Sequence, residues 1–519
     1  MSRCRTLALA TVVALSAFSS AACRRSHGKP MSERDRILSA GRAVIEKNQC
    51  NRCHTIDDIP VAARPLDCTG CHVFLKGLKP RSDQWNSIAK KYGKEIVERY
   101  QKNIVHLIQA PNLTGLGKRV RADWIADFLT EPYDARPMMA ESMFRHKLEP
   151  KDQKAVVRYF AAVANAPDPY APGYRKPELP PRASDERIAK GKELFVKKGC
   201  NTCHTFGNVR TNVTLQFLEG AKPASALAPN LRLARIRTRP DVILTWIQDP
   251  LPLLARTPMP SNLANKAEAE LLRDFLFYAD PELGPVPPTP TMELPPPLER
   301  EVGYEEMKDR VLGKVCVHCH MNDYEKDPGP GNRGGLGWAG VKLQMRTYET
   351  LVNGAVDLKA MEGKPKGFPE VRYSVLVPRA GEKVAPILLA LLRRRAEGLR
   401  DQVPPWGDYE RPHFPKTDLP GMPLGLPTMT DEEIAILAKW IDQGCKGPPK
   451  VTGISGVYDG LLVPDGPIDK NEGCELRAPS KVRPAWAKET EAVGAAAAAA
   501  ASSASALPST KSRPPKKKK

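Results

Sequence analysis

Apolar residues recur at helical spacing in two distant stretches, RILSAGRAVIEKNQCNRCHT (36–55) and ERIAKGKELFVKKGCNTCHT (186–205), which superpose at a shift of 150. Leu38 falls on Ile188, Gly41 on Gly191, Val44-Ile45 on Leu194-Phe195, and Cys50 on Cys200. Each stretch predicts an amphipathic helix running into a C-x-x-C-H group. A second pair, APNLTGLGKRVRADWIADFLTEP (110–132) and APNLRLARIRTRPDVILTWIQDP (228–250), matches without a gap, but at a shift of 118. The first copy of this repeat therefore carries 32 extra residues ahead of Pro111, and a further C-x-x-C-H group, Cys68 to His72, lies inside them. Within the same region KEIVERYQKNIVHLIQAPNL predicts a helix with Val97, Tyr100, Ile104, Leu107 and Ile108 on its apolar face, beside His106.

Proline sets the boundaries. APDPYAPGYRKPELPPRAS (166–184) and DPELGPVPPTPTMELPPPLE (280–299) are too rich in proline for helix and read as stiff linkers. They divide the chain into units at 32–166, 184–281 and 299–449, and a low-complexity tail of Ala, Ser, Pro and Lys, 477–519, reads as disordered. At the N-terminus Arg3 and Arg5 precede the apolar run TLALATVVALSAF and the small residues before Cys23, the layout of a secretory signal over 1–22. Ser-Ala-Ala-Cys resembles a bacterial lipoprotein box with Ser20 where Leu is usual, so Cys23 is expected to be lipidated, with plain cleavage the alternative. No later segment is apolar enough to be a transmembrane helix.

A formal charge of +20, partly held in the terminal PPKKKK, would suit a polyanion. Basic and aromatic residues are not interleaved as in a nucleic-acid groove, however, and no nucleic acid is expected. Aromatic residues make up only 6% of the chain, lean for cores that must fill themselves.

The cysteines supply the missing bulk. With 12 Cys and 9 His in 519 residues, chance alone gives roughly 0.005 C-x-x-C-H matches. There are four: Cys50/Cys53/His54, Cys68/Cys71/His72, Cys200/Cys203/His204 and Cys316/Cys319/His320. In this motif two thiols add covalently to haem vinyl groups, and the histidine that follows binds the iron. Zinc competes only at the first two groups, where a ribbon would leave the histidines unexplained; the other two have no nearby partner to complete a tetrahedron. A thioredoxin-like thiol pair would need a βαβ context, which is absent from the pattern. Four covalently bound haem c groups are expected.

The order helix, C-x-x-C-H-T, A-P-N-L, a W/F-I/L-x-[DE]-P helix end, a Met-containing loop and a final helix resembles class I cytochrome c over most of 32–166 and 184–281. The resemblance implies a mostly α fold: three cytochrome c-like helical modules in series joined by proline-rich linkers, the first dihaem, the others monohaem. It also implies His/Met ligation. In ARTPMPSNL the sixth ligand is then Met259. In ARPMMAESMFRHKL, counting back from the final helix (AVVRYF against ELLRDF) favours Met143, counting forward through R-P-M favours Met138, and Met139 stays open; Met143 is preferred. In the third unit PGMPLGLPTMTDEEIAILAKWIDQG points to Met422, with Met429 and His413 as alternatives, but 101 residues separate it from His320 against 54 between His204 and Met259. That excess, which includes VAPILLALLRRRAEGL, is an insertion of unread role. The haem at Cys68 and Cys71 lacks a Met loop, so His106 is its expected sixth ligand, with His146 or an empty position as alternatives. Cys445 and Cys474 remain, an even number in an oxidising compartment, and suggest a disulfide.

Haems with both axial positions filled bind substrate poorly but exchange electrons readily. The expected protein is therefore an exported, lipid-anchored electron carrier on the periplasmic side of a bacterial envelope, Arg24 after Cys23 mildly favouring the outer membrane. Its partners would be redox proteins or a membrane complex. A peroxidase-like multihaem oxidoreductase, with one open haem, and a fixed haem subunit of a membrane redox complex are the competing readings.

Overall fold

The computed structural model describes residues 31–63, 66–104, 107, 109–130, 132–133, 135–136, 139, 143, 148–206, 227–280, 291–321, 341–345, 347–365, 367–397, 421–448 and 474. The signal segment with Cys23, His106, Met138, His146, His413 and the tail lie outside them. The chain is mostly helical. Among the described residues the only sheet is one antiparallel pair of two-residue strands, Ala355–Val356 against Arg372–Tyr373.

The repeat is visible as two like helical pairs. Helix α1 (Glu33–Lys47) starts at Ser32, whose side chain accepts from the Asp35 N–H, and buries Ile37, Val44 and Ile45 on one face. Three helices of the inserted stretch follow: α2 (Cys68–Gly77), α3 (Asp83–Tyr92) and α4 (Lys94–Asn103). They close over their own small core of Leu75, Leu78, Trp85, Val97 and Ile104. Helix α5 (Ala122–Thr130) and α6 (Pro150–Val163) complete the first unit. In the second, α7 (Asp185–Lys197), α8 (Ile243–Gln248) and α9 (Lys266–Tyr278) repeat the plan without the insertion.

Each copy is closed by a helix crossing on glycine. A Cβ on Gly41 would stand 2.7 Å from the Ala155 carbonyl oxygen and collide with Tyr159; on Gly191 it would stand 2.6 Å from the Phe275 Cβ. Here α1 meets α6 and α7 meets α9 almost backbone to backbone, and any side chain would wedge them apart.

The two copies face each other about a pseudo-two-fold axis. Val120 and Thr238, 118 positions apart and hence the same place in each copy, form an antiparallel bridge. On either side of it Arg121 N–H donates to the Arg237 carbonyl at 2.9 Å and Arg239 N–H to the Arg119 carbonyl at 3.0 Å. An interface in which residue i meets j and j meets i is isologous, here within one chain. The proline-rich 166–184 contains no helix, as its composition predicts, but it is tied down: Asp168 pairs with Arg158, and Tyr278 OH donates to the Pro180 carbonyl.

The third unit differs. Tyr304–Met307, the π-helical Lys308–Cys316 and Val317–Cys319 run on continuously, so its C-x-x-C-H group ends a helix instead of following one. Helices α10 (Pro386–Glu397) and α11 (Asp431–Asp442) pack over this rod, around the fully buried Trp440. Cys445 and Cys474 are bonded, with Cα atoms 5.0 Å apart, closing a separation of 29 residues.

One sequence expectation about the elements needs correction. The helix carrying Val97 and Tyr100 stops at Asn103, and Leu107 adopts a left-handed φ of 52°. Val97 and Ile104 are buried as expected, but Leu107 lies beyond the helix end, packs against the core of the third unit and lines the cleft that holds His54.

Replacing Gly41 or Gly191 by Ala is expected to lower stability by about 1–3 kcal/mol through overpacking, measured as a fall in denaturant midpoint at unchanged helicity. Reducing the Cys445–Cys474 bond, or Cys445→Ser with Cys474→Ser, should cost the third unit about 3–4 kcal/mol by freeing its closed loop in the unfolded chain.

Candidate haem-binding sites

Backbone geometry around the first and third of the four motifs is nearly identical. Gln49 (φ 53°) and Gly199 (φ 69°) turn the chain out of the preceding helix, and Cys50–Arg52 and Cys200–Thr202 follow as single 3₁₀ turns. Each presents its histidine inward. His54 Nδ1 lies 2.8 Å from the Pro111 carbonyl oxygen, and His204 Nδ1 lies 2.8 Å from that of Pro229. These prolines belong to the two A-P-N-L segments, whose Asn112 and Asn230 side chains accept from the N–H groups of Thr114 and Arg232. The segments are docked again by Leu113 N–H to the Thr55 carbonyl and Leu231 N–H to that of Thr205, both at 2.9 Å. In the third unit His320 Nδ1 meets the Leu343 carbonyl at 3.1 Å.

A carbonyl oxygen only accepts, so Nδ1 must donate in all three. Burial holds these imidazoles below their ordinary range, which keeps them neutral. A neutral ring protonated at Nδ1 has its lone pair on Nε2, the state a metal-ligating histidine requires. His72 stands in the second turn of α2, half-buried.

The space in front of His54 is an apolar cleft walled by Cys50, Cys53, Leu116, Trp124, Phe128, Tyr133 and Phe160, with both Met139 and Met143 on the wall. Tyr159 and Phe275, which cover Gly41 and Gly191, are 116 positions apart, and so are Met143 and Met259. Met259 is half-buried in a loop tied to the end of α8, where Asp249 accepts from Ser261 Oγ at 2.7 Å and the Gln248 carbonyl accepts from Asn262 N–H at 2.7 Å. In the third unit Met422 N–H donates to the Ala390 carbonyl at 2.9 Å. The stretch whose role was unread is thus α10, which carries that loop. Met429 is buried in the core.

The two thiols of a motif are not equally placed. Cys50 and Cys53 do share the His54 cleft, and Cys200 packs against the second copy's core. Cys203 is not brought to that core among the described residues. Its side chain is half-buried and its sulfur lies 3.7 Å from Oγ1 of the exposed Thr202. Thr202 Oγ1 donates to the Gly199 carbonyl at 2.7 Å, so it accepts from the Cys203 thiol. The first copy has Arg52 where Thr202 stands, and its guanidinium is engaged elsewhere, with Gln49 and the Leu66 carbonyl. Residues 207–226, which follow the motif, lie outside the described residues.

Sequence reasoning missed the arginines. Arg237 of the second copy lines the His54 cleft of the first, its guanidinium 5.3 Å from the Trp124 ring centre, while Arg119 lies 5.9 Å from that of Trp246 in the second copy. Burial, and for Arg119 also the nearness of Arg237, pulls both down to about 10. Arg237 Nε is buried without a hydrogen-bond partner among the described residues. Arg136 and Arg237 on the wall of the apolar cleft suit a ligand that is apolar with carboxylates at its edge, as haem is. The shift of 118 that pairs Arg119 with Arg237 was readable in the sequence.

Three of the motif thiols are poorly suited to redox exchange. Burial pushes Cys50 up to about 11 and Cys316 and Cys319 up to about 12, and a buried neutral thiol is a poor nucleophile. Cys53 and Cys68 hydrogen-bond each other, which raises the former and lowers the latter. Among the described residues no three His, Cys, Asp or Glu side chains gather closely enough to share a metal ion, and no helix is long and apolar enough to cross a membrane.

Comparison of the chain with protein-family models, with curated proteins and with solved structures gives no match.

Proposed function

We propose that the chain is a tetrahaem c-type cytochrome, built of three cytochrome c-like modules, that passes electrons between membrane and cell-envelope redox partners. The observation that carries this reading is the threefold recurrence of one arrangement: a C-x-x-C-H histidine, buried and neutral, with Nδ1 bound to a backbone carbonyl and Nε2 left for a metal. Bound haem supplies a one-electron iron couple and no group transfer.

The chain's own residues do the rest. Cys50/Cys53, Cys68/Cys71, Cys200/Cys203 and Cys316/Cys319 would anchor the four groups covalently. His54, His72, His204 and His320 would be iron ligands, and the carbonyls of Pro111, Pro229 and Leu343 fix three of these rings, which would keep reorganisation small during electron exchange. Met143, Met259 and Met422 would serve as further iron ligands, and His106, outside the described residues, would do so for the inserted group. Trp124, Phe128 and Tyr133 exclude water from the His54 cleft, the first two stacked at 4.6 Å. A lipid on Cys23 would hold the exported protein at the membrane, and partners would be redox proteins reaching the haem edges.

With all axial positions filled, the reduced holoprotein should take up carbon monoxide slowly and in low yield, and the oxidised form should show little peroxidase turnover. Rapid stoichiometric uptake by the unaltered protein would favour an enzyme with an open haem. Met143→Ala should create one carbon monoxide site while Met139→Ala should not; the reverse result would move the ligand to Met139. His106→Ala should likewise open one site, and an unchanged visible and EPR spectrum would remove His106 as a ligand.

A further inference from the structure

The insertion that brings the second C-x-x-C-H group does more than add a site. Its first cysteine, Cys68, is buried in the core of the third unit, not in that of its own helices, and Cys53, Cys316 and Cys319 pack against the same cluster. Cys53 and Cys68 share a hydrogen bond, and Thr69 Oγ1 donates to the Cys53 carbonyl at 3.4 Å. The ion pair of Arg99 on α4 with Asp309 on the π-helical rod clamps the insertion to the third unit. Cys71, one helical turn on, faces the insertion's own core instead.

We propose that the inserted group is a bridge: a haem attached at Cys68 and Cys71 is held between those at Cys50/Cys53 and Cys316/Cys319, so that three of the four attachment sites meet at one core. This rests on the haem reading above. A thioether sulfur is joined to the macrocycle through a single carbon, so attachment cysteines packed in one core bring haem edges close, and electron tunnelling falls steeply with that gap. Cys200 belongs to the second copy's own cluster, away from this core. The second copy is therefore one terminus of the path, the first its neighbour, and the third unit the other terminus, reached through the insertion. The 32 added residues turn a two-copy repeat into a continuous relay.

The test uses the full-length holoprotein. Its mass after denaturation counts attached haems. A haem-free mass would end the reading on which the bridge rests, and a Cys53–Cys68 disulfide would end both. With four haems present, the ferric EPR spectrum should show haem signals broadened by mutual interaction. Cys68→Ala with Cys71→Ala, shown by mass to keep three haems, should sharpen two of the remaining signals and change their reduction equilibria on the order of tenfold, 59 mV for one electron. Unaltered line shapes and midpoints in that three-haem variant would overturn the bridge. Should it fail to fold, Cys316→Ala with Cys319→Ala reads the same contact from the far side, and an unchanged signal from the inserted haem would overturn it equally.

Discussion

One hydrogen bond organises each module: the motif histidine giving its Nδ1 proton to a backbone carbonyl. In the first two copies that carbonyl belongs to Pro111 or Pro229, and a proline there, followed by an asparagine that accepts from the next turn, leaves the A-P-N-L segment one shape. The bond fixes the ring, selects its tautomer and joins the helix before the motif to the chain that begins the second half of the module. In exchange, the histidine satisfies a carbonyl that would otherwise be buried without a donor. Everything that follows, from the α5 and α8 helices to the methionine loops, hangs from this junction.

Much of this was legible in the sequence because the repeat is a comparison the chain makes with itself. Gly41 and Gly191 coincide at one shift, Pro111 and Pro229 at another, and the difference located the insertion without any structure. What periodicity misjudged was the end of a helix. Val97, Tyr100, Ile104 and Leu107 keep helical spacing, yet the chain leaves the helix at Asn103 because Leu107 is needed by a different core, that of the third unit. A pattern of apolar residues states that they are buried, not against which partner. The motif was equally silent on side-chain direction: Cys200 packs against the second copy's core, while the Cys203 sulfur lies 3.7 Å from the Thr202 hydroxyl.

The pairing of the two copies was hidden for a different reason. In a chain of net charge +20, Arg119 and Arg237 read as two more surface cations. Only the antiparallel bridge at Val120 and Thr238 shows them exchanged across an axis, each against the tryptophan of the other copy. The third unit was the least readable, since its motif ends a helix and α10 interrupts the spacing on which the family pattern depends. There the Met422 loop is placed by α10 through the Ala390 carbonyl, a contact between stretches whose separation carries no period.

The account stands or falls on covalent haem at all four motifs. Mass spectrometry of the exported protein after denaturation and acid–acetone extraction, followed by peptide mapping, addresses that directly. The account predicts four haems retained, one on each of Cys50/Cys53, Cys68/Cys71, Cys200/Cys203 and Cys316/Cys319. A chain of unmodified cysteines, or one holding zinc in place of iron, would contradict it.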